Sequence, residues 1–204
     1  MAERDVKSNQ NTAISLDELL KVIMPQGEGK KLPPVETWNP QGEKDIGMEI
    51  RADGSWWHQG GQIKRERMVK LFSRILRKDA DGGTYLVTPY EKVIVHVEDA
   101  PFIAVRVDRA GEAGPGQELV FTTNLDDVAI AGPDHPIRVE TDADTQEPSP
   151  YVLVRGRLEA KLARPVFYEL AELAEPNAAD DGRTMGVWSQ GVFYELGAAG
   201  DEQE

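Results

Sequence analysis

The sequence predicts an α+β fold of two related modules, each a curved antiparallel sheet, or half-barrel, that carries one helix. Short segments in which apolar and polar residues alternate recur about every ten residues, as they do in antiparallel meanders. Two longer stretches instead have apolar residues at helical spacing, and each follows a glycine, Gly61 or Gly156. The chain has 204 residues, 40% of them hydrophobic, which is enough to bury a core.

The composition limits the possible classes of function. The chain has no cysteine, which excludes disulfides and cysteine-based metal sites and favours a reducing, cytoplasmic location. No apolar run is long enough to span a bilayer, and the N-terminus, MAERDVKSNQ, lacks the apolar core of a signal peptide. A net charge of −13 repels nucleic-acid polymers and anionic membranes, so we expect neither as a partner. An anion would have to bind at a local basic site.

We divide the chain into three parts. Residues 1–33 form an N-terminal tail, a short helix and a linker, residues 34–100 an N-terminal α+β module, and residues 101–204 a C-terminal module with an acidic tail. The short helix is predicted from the capping box Ser15-Leu16-Asp17-Glu18. The stretch from Gln26 to Pro34 is rich in glycine and proline, which is typical of a linker.

The first module reads as a hairpin, a helix and further strands. Asp53-Gly54 is a hairpin signal between a strand that ends at Ile50 and a return strand over Ser55 to Gln59. A helix is predicted after Gly61 from the spacing of Met68, Val69, Phe72, Ile75 and Leu76. Strand alternation resumes at Tyr85 and is broken at Thr88-Pro89.

The second module reads as a meander followed by a helix and one strand. The alternating segments are centred on residues 105–107, 119–121, 128–130, 137–139 and 152–154. A helix is predicted over about Arg157 to Leu173, and Pro165 inside it should cause a kink or a short first segment. A last strand is predicted over Gly186 to Leu196.

The two helical stretches align with each other. When Gly61 is placed over Gly156, Phe72 meets Phe167, and apolar residues coincide along one helical face. This predicts a duplicated strand–helix–strand unit, residues 59–87 over 154–188, in which both phenylalanines are buried. The alternative is that any two amphipathic helices that follow a glycine align in this way.

An ordered series of motifs resembles a proteobacterial family of domains of unknown function. The motifs are Trp57-His58-x-Gly60-x-x-Ile63-x-Arg65, Lys70-Leu71-Phe72, Tyr85-Leu86-Val87-Thr88-Pro89, Glu91-Lys92-Val93 and Val97-Glu98-Asp99-Ala100-Pro101-Phe102. The resemblance covers residues 38–196. It implies a duplicated α+β core whose C-terminal half is pleckstrin-homology-like. It also implies a nucleotide-type ligand between the halves and a part in signal transduction.

Positive charge is concentrated around the first predicted helix. The residues are Lys64, Arg65, Arg67, Lys70, Arg74, Arg77 and Lys78. Most of them lie on the side away from Phe72, as expected for the solvated face of an amphipathic helix. Arg65 differs, because it projects near His58 and the free amides of the first helical turn, where an anion would be stabilised. The three histidines have no metal-site spacing, and a structural role for His58 is the simpler alternative.

We therefore predict a non-catalytic ligand-binding or signalling module that holds a small anionic, nucleotide-like ligand between its halves. The predicted ligand-binding residues are His58, Arg65, Lys70, Thr88, Glu91 and Arg157. No catalytic residue, metal or cofactor is predicted, since the chain has no nucleophile or phosphate-loop motif. The alternatives are a protein–protein interaction scaffold and, third, a hydrolase or transferase.

Overall fold

The computed structural model describes residues 31–198, which contain fifteen β-strands and two α-helices. The short helix predicted at Ser15 and residues 199–204 lie outside the described range. Neither helix within residues 31–198 is long and apolar enough to cross a membrane.

The first module is one six-stranded sheet with a helix. Its strands are β1 (Glu43–Ile50), β2 (Trp56–His58), β3 (Gly61–Gln62), β4 (Leu76–Lys78), β5 (Thr84–Val87) and β6 (Lys92–Val97), and helix α1 (Glu66–Ser73) lies between β3 and β4. The order across the sheet is β3-β2-β1-β6-β5-β4. The two central strands, β1 and β6, run parallel, and the other neighbours run antiparallel.

The second module repeats this arrangement. Its strands are β7 (Phe102–Ala110), β8 (Glu118–Thr123), β9 (Val128–Ile130), β10 (Ile137–Thr141), β11 (Pro148–Arg155) and β12 (Leu158–Leu162), and helix α2 (Arg164–Glu172) follows β12. The order is β10-β11-β12-β7-β8-β9, with β12 and β7 parallel at the centre. Each sheet therefore consists of two three-stranded meanders joined through its first and last strands. The predicted α+β fold of two modules with one helix each is confirmed, with mixed rather than purely antiparallel sheets.

A three-stranded sheet completes the chain beside the second module. It comprises β13 (Glu175–Pro176), β14 (Thr184–Ser189) and β15 (Val192–Ala198). The buried Ser189 hydroxyl donates to the Ala131 carbonyl (2.7 Å) and accepts from the Leu119 amide (3.0 Å), which fixes this sheet to β8. The single strand predicted over Gly186 to Leu196 is thus a hairpin, because Gln190 and Gly191 turn the chain with positive φ angles of 49° and 77°.

Both helices are shorter than predicted. Helix α1 ends at Ser73, and Leu76 belongs to β4, where it pairs with Leu86 of β5. Residues 158–162, predicted as the start of the second helix, form β12 with alternating burial. Helix α2 begins at Arg164, so Pro165 lies in its first turn. Backbone amides in the first turn have no hydrogen-bond partner within the helix, so the missing N–H of proline costs nothing there. Apolar residues four apart, such as Leu158 and Leu162, fit both periods, which explains the error.

The chain contains a duplication, but the equivalent residues are not those that the alignment of the two helices predicts. The strands on either side of α1 belong to one sheet, whereas those on either side of α2 belong to two sheets, so residues 59–87 and 154–188 are not equivalent. The repeat lies in the strand order, with the helix inserted between the third and fourth strands of the first module and placed after the sixth in the second. Phe72 is fully buried, as predicted, and its ring stacks on that of Trp56. Phe167 is only partly buried, because Val166 and Leu170 anchor α2 instead.

The two modules contact each other through specific side chains. Arg155 of β11 donates from Nη2 to the Ser73 carbonyl at the end of α1 (2.6 Å), and its guanidinium lies 4.9 Å from the centre of the Phe102 ring. The same guanidinium pairs with Asp127 in the turn after β8. Gly54, in the turn between β1 and β2, packs so closely that a Cβ there would lie 2.9 Å from both Asn124 Nδ2 and Ile103 Cγ1. The modules are therefore held in one relative position.

Candidate functional site

An N-terminal segment, residues 33–39, is fixed to the first module by one arginine. Arg77 of β4 donates from Nη1 to the carbonyls of Val35 and Trp38, both at 2.7 Å. Its Nε and Nη2 bind the Asp79 carboxylate at 2.6 and 3.2 Å. The Arg77 side chain is only 10% exposed, and a buried charge is costly unless it is paired and hydrogen-bonded. These hydrogen bonds therefore compensate for the burial of the guanidinium. The segment is therefore part of the folded body.

Asp79 is held in its ionised form. Burial alone would raise the pKa of Asp79, but its hydrogen bonds and ion pairs with Arg77 and Lys92 bring that pKa below its usual value. The Lys92 ammonium lies 3.2 Å from Asp79, 3.5 Å from Glu43 and 3.9 Å from the centre of the Tyr85 ring. The Asp79 carboxylate is paired with Arg77 and Lys92, so it has a structural role as an anion and does not donate a proton.

A cleft lies where the N-terminal segment, the loop after β4 and the turn between β11 and β12 meet. We call it the junction cleft. It is a wide depression, open to solvent, with a volume of about 530 Å³. Its lining residues are Glu36, Trp38, Asn39, Arg77, Asp79, Ala80, Asp81 and Arg157. Both modules contribute to it, as the ligand hypothesis requires.

The turn at Gly156 is the part of the second module that borders this cleft. Gly156 has a φ of +53°, and a Cβ at this position would lie 3.0 Å from Glu36 Oε1. Glycine therefore permits both the backbone conformation and the close approach to the N-terminal segment. Arg157 follows directly and is exposed, with no hydrogen bond or ion pair to any residue in the 31–198 range.

The free groups of the junction cleft are chemically diverse. Trp38, which is half-buried and packs against the core, and the exposed Asn39 both line the cleft. Asp81 accepts hydrogen bonds from the Gly83 amide (2.8 Å) and the Tyr85 hydroxyl (3.3 Å), and its oxygens have lone pairs left for a ligand. Glu36 and Arg157 add one negative and one positive charge at the rim.

Comparisons with known proteins identify the family. Residues 33–100 match the model described as "Domain of unknown function (DUF1285), N-terminal domain", and residues 101–196 match "Protein of unknown function (DUF1285), C-terminal domain". The chain belongs to the DUF1285 family.

Two solved structures of DUF1285 family proteins are similar to this chain. The protein from Silicibacter pomeroyi DSS-3 is 43% identical, with a TM-score of 0.82, and the match covers 92% of this chain and 97% of that one. The protein from Shewanella baltica OS155 is 29% identical, with a TM-score of 0.50, over 63% of this chain and 92% of that one. No curated protein matches this sequence.

The six residues predicted to bind the ligand lie at several places in the DUF1285 fold. Arg157 lies in the junction cleft. Thr88 and Glu91 lie together in the turn between β5 and β6, where the Thr88 hydroxyl accepts from the Glu91 amide at 3.0 Å and stabilises the turn. His58 is half-exposed at the end of β2, and Arg65 is exposed just before α1.

Lys70 has partners of its own. Its ammonium lies 2.6 Å from Glu66, one turn earlier in α1, and 2.5 Å from Asp126 of the second module. Hydrogen bonds to Asp126 and then Glu66 raise the pKa of Lys70 to about 12. Within residues 31–198, the six residues share no hydrogen bond except those between Thr88 and Glu91. A common site for all six therefore stays a hypothesis.

The sequence did not identify most of the cleft. The residue types of Trp38, Asn39 and Asp81 do not indicate a shared site, because these residues come from separate segments of the chain. The one feature of the sequence that points to this site is a tryptophan and an asparagine next to a proline-rich linker, which is a weak indication of ligand binding. Within residues 31–198, no three acidic or histidine side chains group together as a metal site.

Proposed function

We propose that this DUF1285 family member is a non-catalytic binding module that holds a small anionic, nucleotide-like ligand in the junction cleft. The observation that carries the proposal is that Arg157, without a partner in the described range, lines the same cleft as Trp38. A guanidinium binds phosphate with charge-assisted hydrogen bonds, and an aromatic ring offers a surface on which a base stacks. The Asn39 amide and the Asp81 carboxylate can hydrogen-bond base and ribose groups.

The charges of the cleft disfavour a ligand that carries several phosphate groups. Arg77 and Asp79 neutralise each other, which leaves the carboxylates of Glu36 and Asp81 against the guanidinium of Arg157. In a chain of net charge −13, long-range attraction of an anion is also absent. We therefore expect nucleosides with one phosphate group to bind better than triphosphates.

The cleft supports a signalling role because its walls come from separate parts of the chain. A ligand that contacts Trp38 and Arg157 would bridge the N-terminal segment and the second module, so occupancy could be passed to a partner through either. Asp79 is kept ionised by its ion pairs with Arg77 and Lys92, which supports a structural role for this carboxylate rather than a role in proton transfer.

The first experiment is a thermal-shift screen of nucleosides and their mono-, di- and triphosphates, followed by calorimetry with the best ligand. Arg157→Ala should weaken binding by roughly ten- to a hundredfold, the value of one charge-assisted hydrogen bond. Arg109→Ala is the matched control, because Arg109 is an exposed arginine of the same module outside the cleft, and it should bind as the wild type does.

Arg65→Ala, measured in parallel, separates the two candidate positions. Loss of binding in Arg65→Ala, with Arg157→Ala unaffected, would move the site to the start of α1. No stabilisation by any compound in the screen would contradict ligand binding and favour the interaction scaffold. Conversion of a compound to product would favour the hydrolase or transferase.

A further inference from the structure

The chain enters the described part of the structure beside helix α1. Arg74, the residue that follows α1, donates from Nη2 to the carbonyl of Lys31, the first described residue. Leu32 comes next and is 44% exposed, which leaves apolar surface in water. Residues 1–30 are therefore connected to the body of the protein at the C-terminal end of α1.

Helix α1 has a partly apolar face that points away from the core. Arg67, Leu71 and Arg74 follow one another at spacings of four and three residues, so they lie on one side of the helix, which we call the α1 outer face. Leu71 is half-buried and lies between the two arginines along this face. Lys70, beside them, is already paired with one acidic residue of each module. A second helix on this face would cover the rest of the leucine side chain.

Residues 14–23, ISLDELLKVI, have the pattern of an amphipathic helix. Leu16, Leu19, Leu20 and Ile23 recur at helical spacing, after the capping box that predicts the start of the helix. An isolated helix of this length is only marginally stable in water, so its apolar stripe needs a surface to pack against. This segment lies outside the described residues.

The length of the intervening chain places this segment within reach of the α1 outer face. The residues between Ile23 and Lys31 can span up to about 25 Å when extended. Helix α1 has eight residues and is therefore about 12 Å long. The whole outer face is within range of a helix that is tethered at Lys31.

A related crystal structure also includes part of this region. The match to the Silicibacter pomeroyi protein covers 92% of the 204 residues, which is more than residues 31–204 together comprise. The matched region therefore extends to the N-terminal side of Lys31. In that family member, counterparts of these residues have defined positions.

We propose that residues 15–23 dock as a helix on the α1 outer face of the same chain, with Leu20 over Leu71 and the Asp17 carboxylate paired with Arg67. Each of the two pairs, Asp17 with Leu20 and Arg67 with Leu71, consists of neighbours on one helix surface. If the two helices lie side by side with their C-terminal ends near Arg74, Asp17 is level with Arg67. This docking does not depend on the ligand proposed for the junction cleft.

Because the chain has no cysteine, disulfide trapping tests the docking directly. Leu20→Cys combined with Leu71→Cys should form an intrachain disulfide under mild oxidation, since two Cα atoms within about 7 Å can be bridged. The matched control is Val22→Cys with Leu71→Cys, because Val22 lies on the opposite side of the predicted helix. The control should cross-link more slowly by about tenfold or more, since its thiol is held away from the partner.

Charge reversal tests the ion pair in the same cross-linking assay. Asp17→Lys and Arg67→Glu should each slow disulfide formation between positions 20 and 71 by about two- to fivefold, as expected for an exposed pair. The double variant, with both charges exchanged, should recover the original rate. Asp5→Lys, which makes the same change outside residues 15–23, should have no effect.

Non-reducing gels at several protein concentrations distinguish intrachain from interchain disulfides, and thermal melting establishes that each variant is folded. The proposal is overturned if the Leu20 and Val22 pairs cross-link at equal rates. It is also overturned by a disulfide between chains, which would mean that the segment binds a second copy, or by a double charge variant that stays as slow as the single ones.

Discussion

At the scale of single residues, arginines bind structural elements that are distant in sequence. Arg77 holds the carbonyls of the N-terminal segment, and Arg155 joins the end of α1 to the turn after β8. The planar guanidinium suits this role because it donates several hydrogen bonds in fixed directions. In the sequence both residues looked like ordinary charged positions, since the carbonyls that they bind carry no signal in the residue types.

Arg155→Ala should destabilise the protein by about 2–4 kcal/mol. The substitution leaves the Asp127 carboxylate and the Ser73 carbonyl without this donor, and the side chains of Arg155 and Asp127 are each only 18% exposed. Urea unfolding measures the change. Arg106→Ala, which breaks an exposed pair, should change the free energy of unfolding by no more than about 1 kcal/mol. Equal effects would show that Arg155 does not hold the modules together.

The ion pairs of Lys70 should make stability depend on pH in the alkaline range. The pKa of Lys70 is raised from 10.5 to about 12 in the folded protein, so its stabilising effect is complete below pH 10.5 and is lost as the pH rises through about 12. The difference in unfolding free energy between the wild type and Lys70→Met should therefore shrink over this window. Lys64→Met, which changes an exposed lysine just before α1, provides the control. A difference that does not vary with pH would contradict the ion-pair interpretation.

At the scale of elements, the sequence predicted the strands better than the ends of the helices. Alternating burial is visible in segments such as β8 and β12, where every second residue is buried. The helices were extended too far because Leu76 and Leu158 continue a helical spacing by chance while they belong to strands. Register depends on partners elsewhere in the chain, so the parallel pairing of β1 with β6 could not be read from local pattern.

The two helices should respond differently to loss of their phenylalanines. Phe72 is fully buried against Trp56, so Phe72→Ala should cost about 3–5 kcal/mol of stability. Phe167 is partly exposed, so Phe167→Ala should cost clearly less, whereas Leu170→Ala, at a fully buried position of the same helix, should cost about 2–5 kcal/mol. Thermal and urea unfolding give the order. A larger loss at Phe167 than at Leu170 would mean that α2 packs through its other face.

At the scale of the whole molecule, the junction cleft is a product of topology. Trp38, Asp81 and Arg157 come from three distant segments, and they meet because the N-terminal segment lies over β4 and because the second module is fixed by Arg155. Of these, the sequence identified Arg157 alone as a ligand-binding candidate. Charge and residue type can identify an arginine as a candidate, but its neighbours in the cleft depend on how the two modules pack against each other.

If a ligand occupies this cleft, it should slow amide hydrogen exchange in all three segments at once. A molecule that touches Trp38 and Arg157 restrains both modules, so its binding energy opposes every local opening that breaks either contact. Hydrogen–deuterium exchange with saturating nucleoside monophosphate should show protection in residues 33–39, 79–83 and 155–158.

The same measurement on Arg157→Ala provides the control. Protection should be lost there in all three segments together, because a ligand that no longer binds can restrain none of them. Protection in the wild type that is confined to one module would mean that the ligand binds on a single surface. In that case the two modules would be joined only by the fold, through Arg155 and the close packing at Gly54.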